Sequence, residues 1–540
     1  MPWALCKSDG GPHAGARPTY RRFAMAIFLA LDAGTGSCRA ALFNERGKEL
    51  AISGREWTHR SLPGVPGSME FDTQANWAQM TACIREAVAK ARIKRVDAIA
   101  ATSMREGIVV FAEAQEELWA CANVDARSID EVRALRARGL EDSFYRTSGQ
   151  TFALGAAPRL LWLKAHEPEL YKRAVSVAML SDWIAVRLGA PIAVDRSNGG
   201  TMGLFDLGLR SWSLELISAA GLPSSFVSVP VRESGEIIGE LSPKAAAETG
   251  LEAGIPIVMG GGDAQLGAVG VGAVHANDTA IFGGTFWQQE MNFAAPPHDP
   301  TGRIRINFHA VPGQWQAETI VFFAGLAARW MRDAIFPDVK TAACAAGRDP
   351  YAVLEEMAGA VPVGSNGVVP VFSDAMDYMH WMHAAPTFAN LSVDPEKCDR
   401  ITLFRALLEN TAIVVRSNIE RITDIGAPYP RSAIFASGAS KGRLWPQIVA
   451  DVLGVPLRIP VVKEATALGA AICAGVGIGT FRSFPDAIER TVSFEREVEP
   501  RPEFGPIYAE MKERWTAVYA VQLELARRGV TESMWRAPGE

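Results

Sequence analysis

Three short stretches of this chain collect the residue types that move a phosphoryl group. The first is LDAGTGS, Leu31 to Ser37. Gly34 and Gly36 predict a tight strand-to-strand turn with positive φ and unobstructed backbone N–H groups. Those N–H groups, with the Thr35 and Ser37 hydroxyls, can cradle phosphate oxygens. Asp32 cannot hold a phosphate directly, because like charges repel. It can hold a magnesium ion, usually through water, that bridges to phosphates. An ordinary hairpin turn also favours Asp and Gly, so this stretch alone leaves both readings open. The second stretch, Gly283-Gly284-Thr285, has the same chemistry without the carboxylate. The third is GGGDAQLG, in which Asp263 stands between an apolar run and a helix start. There it can accept a proton from an acceptor hydroxyl, or simply cap the helix. Two glycine loops and one carboxylate are what a nucleoside triphosphate clamped across a cleft requires.

Other polar groups follow apolar runs. Arg105 and Glu106 in TSMREG, and Asp125 and Arg127 in WACANVDARS, sit where ligands meet α/β sheets, beyond strand ends. A guanidinium beside a carboxylate binds adjacent hydroxyls of a polyol, or makes a surface salt bridge. In FASGASKGRLW, the small residues from Gly438 to Gly442 leave room for a flat base against the backbone. His380 and His383 lack a third ligand and make a poor metal site. GAVGVGAV follows Asp263 inside the helix, so it is no dinucleotide turn. HExxH and Walker A motifs are absent, which removes metalloprotease and P-loop readings.

The elements that must position these groups alternate. MAIFLALDAG reads as a buried strand, and CRAALFNERGKELAISGREW continues as a meander. Asp72 then caps a helix carrying Trp77, Met80, Ile84 and Val88. VDAIAATSM is a second buried strand, and EVRALRARGLEDSF and APRLLWLKAHEPELYKRA are amphipathic helices. A second alternation opens near residue 255, and a strand, Gly-Thr tip, strand unit recurs near 284. EATALGAAICAGVGIG is an alanine-glycine helix suited to close packing. The fold class is therefore α/β in two related domains sharing a cleft. The expected division is a disordered extension over 1–25, an N-terminal domain over 26–265 and a C-terminal domain over 266–540.

The 540 residues are 48% hydrophobic and 21% charged, with a net charge of −6. Such a balance points away from a nucleic-acid partner. No apolar run has membrane-spanning length. Seven cysteines without paired spacing suggest free thiols in a reducing cytosol.

DAGTGS, GGGDAQ, FGGTF, ASGASKGRLWPQIVADVLGVP and EATALGAA, in this order, resemble the FGGY carbohydrate kinases of the actin-like (ribonuclease H-like) ATPase superfamily. The resemblance covers about residues 26–530. It implies ATP and Mg2+ as cofactors and Asp263 as general base. It places Asp32 at the magnesium, and Thr35, Gly36 and Thr285 at the phosphates. Gly284, Gly438 and Gly442 would line the nucleotide, and Arg105, Glu106 and Asp125 would contact substrate. VPGSMEFD, SMREGIV, WACANVDAR and FSDAMDYMHWMHAAPTFANLSVDPEKC are similar to the branch that acts on a quorum signal. The implied substrate is linear, hydrated 4,5-dihydroxypentane-2,3-dione, phosphorylated on its primary hydroxyl and so retained in the cytoplasm. Xylulose or ribulose is the alternative acceptor, and a non-catalytic actin-like switch the alternative class. The family also implies a phosphotransferase-system carrier as a regulatory partner; whether the chain is a monomer or a dimer, the sequence does not say. Ser437 departs from the glycines that many family members carry there, which bears on nucleotide affinity.

Overall fold

The computed structural model describes residues 25–534. Apart from Met25, the extension expected over 1–25 lies outside the described residues. The first sheet opens with an antiparallel meander, β1 (Ile27–Ala33), β2 (Ser37–Asn44) and β3 (Glu49–Glu56). The chain then passes through α1 (Thr73–Ala91). Its N-cap Asp72 accepts hydrogen bonds from the Gln74 and Ala75 N–H groups. β4 (Ala98–Ser103) returns parallel to β1. After a long insertion of helices and short strands, β5 (Ile237–Glu240) and β6 (Pro256–Gly262) complete the order β5-β6-β4-β1-β2-β3. β6 runs straight into α2 (Asp263–Val271). β1 is apolar on both faces because helices cover both sides of the sheet.

The second sheet repeats this plan. β7 (Thr279–Gly283) and β8 (Trp287–Phe293) form a hairpin, extended by β10 (Trp315–Val321) and β9 (Arg305–Phe308). β11 (Ala433–Ala436) lies parallel to β7, and β12 (Leu457–Pro460) parallel to β11. β13 (Phe494–Val498) closes the order β9-β10-β8-β7-β11-β12-β13. The faint repeat in the sequence thus corresponds to two sheets, each a meander followed by parallel strands.

Two helices are exchanged between the sheets. α2 leaves the first sheet, and its Ala268 and Val271 pack with Ala280, Ile434 and Ala436 of the second. α3 (Ala465–Gly477) follows β12, and its Ala467, Leu468 and Ala470 pack with Phe28, Ala30, Ala98 and Ala100 of the first. Where the helices cross, their backbones touch. A Cβ on Gly270 would lie 1.8 Å from the Ala465 carbonyl oxygen, and one on Gly469 2.0 Å from that of Leu266. This contact accounts for the alanine-glycine composition of α3. Gly469→Val is expected to destabilise the protein by about 3 kcal/mol, because backbone cannot yield as a side chain can; urea unfolding measures it.

Two expected helices are split. Gly139, in the left-handed conformation, separates Ile129–Ala137 from Glu141–Ser148. Pro168 starts a new helix, Pro168–Arg173, after Ala156–His166 ends. The six described cysteines are free. No helix among the described residues is long and apolar enough to cross a membrane.

Candidate active site

Parallel register brings the chemistry to one edge. Asp32 pairs with Thr102, and Gly262 with Ser103, so β1, β4 and β6 end together. Asp32, Arg105 and Asp263 therefore emerge side by side. Across from them, β7 and β11 end together, with Phe282 paired to Ala436. Between the two edges lies a cavity of about 360 Å³, lined by Arg105, Glu106, Asp263, Gly284, Ser437 and Thr466, with Asn123, Phe286 and Gln288 at its walls.

Asp263 is not the cap of its helix. Gly262 occupies the cap position and Asp263 is the first helical residue. Its carboxylate accepts one backbone hydrogen bond, from Ala264 N–H at 2.7 Å, and keeps 38% of its side chain open to the cleft. Withdrawal from bulk water raises its pKa. Arg105, whose Nε lies 3.6 Å away, opposes that rise, and the Glu106 and Glu318 charges add to it. Asp32 is nearly buried, with Arg39 Nη1 3.8 Å from Oδ2 as its nearest cation. Burial pushes its pKa up to about 7, helped by the Asp263 charge, opposed by Arg39 and reinforced by Glu464. The two aspartates thus feel one another along this edge.

In the first glycine loop the carbonyls are tied back. Gly34 C=O accepts from the Trp57 indole at 2.9 Å, Gly36 C=O from Trp57 N–H at 3.1 Å, and Thr35 C=O contacts His59 Nε2 at 2.6 Å. The Thr35 hydroxyl donates to Asn123 Oδ1 at 3.2 Å. The Thr35 and Gly36 N–H groups have no acceptor among the described residues, so the turn offers donors to an anion. In the second loop, Thr285 C=O accepts from Gly325 and Leu326 at 3.1 and 3.3 Å. One expectation fails: none of Gly34, Gly36, Gly283 and Gly284 has positive φ. Their smallness matters instead. A Cβ on Gly34 would lie 3.2 Å from Ser37 C=O, and one on Gly283 2.7 Å from Ala439 Cβ.

In the third loop Gly438 opens a short 3-10 turn and its Cβ position is unhindered. Gly442 is placed against Glu355, whose carboxylate a Cβ there would strike at 2.0 Å. Glu355 accepts from the Arg443 and Leu444 N–H groups at 2.8 Å each and so caps the helix Leu444–Leu453. Ser437 lines the cavity at φ 75 and ψ −161, a region that is essentially glycine's. Ser437→Gly is expected to stabilise the unliganded protein by about 1–3 kcal/mol, read as a higher Tm.

Arg105 and Glu106 are both buried, and Glu106 holds φ 58. Arg105 makes a two-pronged ion pair with Glu318, its Nη2 3.0 Å from Oε1 and its Nη1 on Oε2. Glu106 pairs with Arg305, whose Nε donates to Gln150 Oε1 at 2.9 Å. Asn307 Nδ2 donates to Glu318 Oε2 at 3.0 Å. Arg159 ties the two substrate-side loops together, donating to the carbonyls of Glu106, Asn123 and Asp125. Asp125 itself is placed apart from the cavity. Its carboxylate accepts from Arg127 Nε and Nη2 and from Met69 N–H at 2.6 Å, with Arg127 lying against Trp119 and Trp162. Asn123 lines the wall instead. His380 and His383 each meet an aspartate, Asp377 and Asp374.

Two meander-led sheets that exchange helices around a cleft, with a glycine loop on each side and a carboxylate at one edge, define an actin-like ATPase-type kinase fold. Residues 27–270 match the FGGY family of carbohydrate kinases, N-terminal domain, and residues 296–478 its C-terminal domain. The chain belongs to this family and is an ATP-dependent kinase. A protein of Salmonella paratyphi A named autoinducer-2 kinase is 50% identical over 95% of this chain and 97% of its own length. One of Klebsiella pneumoniae with the same name is 50% identical over 95% and 98%. The solved structure of a xylulose kinase from Rhodospirillum rubrum is 27% identical, with a TM-score of 0.82, covering 94% of this chain and all of that one. A Plasmodium falciparum glycerol kinase with ADP shares the fold at 17% identity and a TM-score of 0.80, covering 92% and 98%.

Proposed function

We propose that this kinase transfers the γ-phosphoryl group of ATP to the primary (5-) hydroxyl of hydrated, linear 4,5-dihydroxypentane-2,3-dione, the quorum signal autoinducer-2. The observation that carries the substrate is the 50% identity, over 95% of the chain, to proteins named autoinducer-2 kinase. The cavity supports the chemistry. Glu106 and Arg105 face vicinal hydroxyls from one wall. Asp263 accepts the proton of the attacking hydroxyl as its oxygen bonds to phosphorus and the bond to ADP breaks. Thr35, Gly36, Gly284 and Thr285 take the phosphates, and Gly438, in the loop after β11, lies on the nucleotide side. Closure of the domains 26–265 and 266–540 excludes water and limits wasteful hydrolysis.

The residues present fit a magnesium ion. Among the described residues the Asp32 carboxylate accepts no hydrogen bond, and its nearest cation, Arg39 Nη1, stands 3.8 Å off. A single carboxylate that no protein donor occupies suits magnesium, which leaves its remaining positions to phosphate and water. Asp32 would hold it, and it would neutralise charge on the phosphates. The product's added charge would retain it in the cytoplasm. Phosphorus–proton NMR of the product tests the regiochemistry: coupling to a CH2 is expected, and coupling to a CH would overturn the assignment.

A further inference from the structure

Behind the cavity wall formed by Arg105 and Glu106, the second sheet carries a buried polar face. Alternation in β8, β9 and β10 turns Glu290, Asn292, Arg305, Asn307, Gln316 and Glu318 inward, and all six are buried. Within it, Glu290 and Glu318 stand directly opposite in the β8–β10 register, at 1% and 0% exposure. Their partners differ. Glu318 takes both Nη groups of Arg105 and the Asn307 amide. Glu290 accepts only from Gln316 Nε2 at 3.1 Å, and its Oε1 meets no protein donor.

The consequence falls on Asp263. A guanidinium beside a carboxylate favours a two-pronged pair with it. Here that fork is already used, and only the Nε edge of Arg105 remains for Asp263, at 3.6 Å. We propose that Glu318 is a positioning residue for the base: by holding both Nη groups of Arg105, it denies Asp263 a tight ion pair and leaves that carboxylate free to take the hydroxyl proton. This rests on the reading of Asp263 as the base. The titratable and charged groups that face Asp263 are Arg105 and Glu106 from the loop after β4, Glu318 and Glu290 from the second sheet, and Asp32 from β1. Arg305 is engaged by Glu106, so no second cation stands ready to replace Arg105. Burial drives the Glu290 pKa up, reinforced by the Glu318 charge, whereas Glu318 is held low by Arg105 and Arg305 against its burial.

The pair supplies its own control. In Glu318→Gln, Arg105 is released toward Asp263. Turnover is expected to fall by roughly tenfold to a hundredfold, and the acid limb of the kcat profile to move to lower pH. Glu290→Gln, equally buried and directly opposite, is expected to keep turnover within about twofold and leave the acid limb in place. Glu318→Asp, which keeps the charge, is expected to restore the limb's position. Equal losses in Glu318→Gln and Glu290→Gln with unmoved pH profiles would reduce Glu318 to a structural role and overturn the proposal. Should Glu318→Gln fold poorly, the profile of Glu318→Asp decides: a limb displaced as far as the destabilised variant's is against it. If Asp263→Asn keeps its turnover, the base assignment itself fails. If that variant is inactive while Glu318→Gln matches wild type, only the positioning role fails.

Discussion

Asp263→Asn is expected to bind ATP almost as tightly as the wild type and to lose roughly a thousandfold in turnover. The substitution keeps the shape and the hydrogen bond from Ala264 but removes the lone pair that accepts the hydroxyl proton. Nothing else at the cleft edge replaces it. Glu106 is engaged by Arg305, Glu318 by Arg105, and Asp32 lies beside Arg39, in the role proposed for it at the magnesium. The raised pKa of Asp263 gives the sign of the pH effect. The base works ionised, so wild-type turnover falls as pH drops through a value raised above a free aspartate's. Single-turnover assays with equilibrium nucleotide binding separate the two steps, and turnover within tenfold of wild type would remove Asp263 from its role.

Asp32→Asn is expected to lower kcat/KM for magnesium-ATP about a hundredfold or more and to raise the magnesium concentration at half activity. It also has an effect without any ligand. Asp32 titrates near 7 in the folded chain rather than at 3.8. Between those values the folded protein holds a proton that the unfolded chain has released, so the site favours folding at low pH. That contribution fades as pH rises toward 7. The amide variant carries no such charge. Unliganded Asp32→Asn should therefore melt above wild type at pH 8, with the gap closing near pH 4. Thermal scans at the two pH values, with and without magnesium-ATP, check both halves. An unchanged magnesium titration counts against the metal role.

Much of this was legible because it is local. Asp72 as a cap, the buried strands ending at Asp32 and Ser103, and the duplicated Gly-Thr turn all follow from short patterns. So does the convergence of Arg105, Glu106 and Asp263, because parallel strands deliver their ends to one edge. What stayed hidden is pairing over distance. Glu318 and Arg305 lie some two hundred positions from their partners, and no spacing rule reaches that far. A signal did exist. Arg305 and Asn307, and then Gln316 and Glu318, alternate with mostly apolar neighbours in their strands, which is the mark of a polar face turned to a partner. Asp125 misled for the opposite reason. Its neighbour Arg127 two residues on satisfies it inside the wall, so a carboxylate beside a guanidinium became structure rather than a hydroxyl clamp. The glycine turns misled in conformation only, since close approach rather than positive φ explains them.

Initial-rate comparison of dihydroxypentanedione, xylulose, ribulose and glycerol as acceptors, with magnesium-ATP and purified protein, tests the central claim most directly. A kcat/KM for the dione at least about a hundredfold above that for either pentulose is the predicted result, a difference of some 3 kcal/mol in transition-state binding. A preference for xylulose or ribulose would contradict the signal-kinase reading while leaving the kinase chemistry at Asp263 in place. ATP consumption unchanged by every acceptor would contradict both.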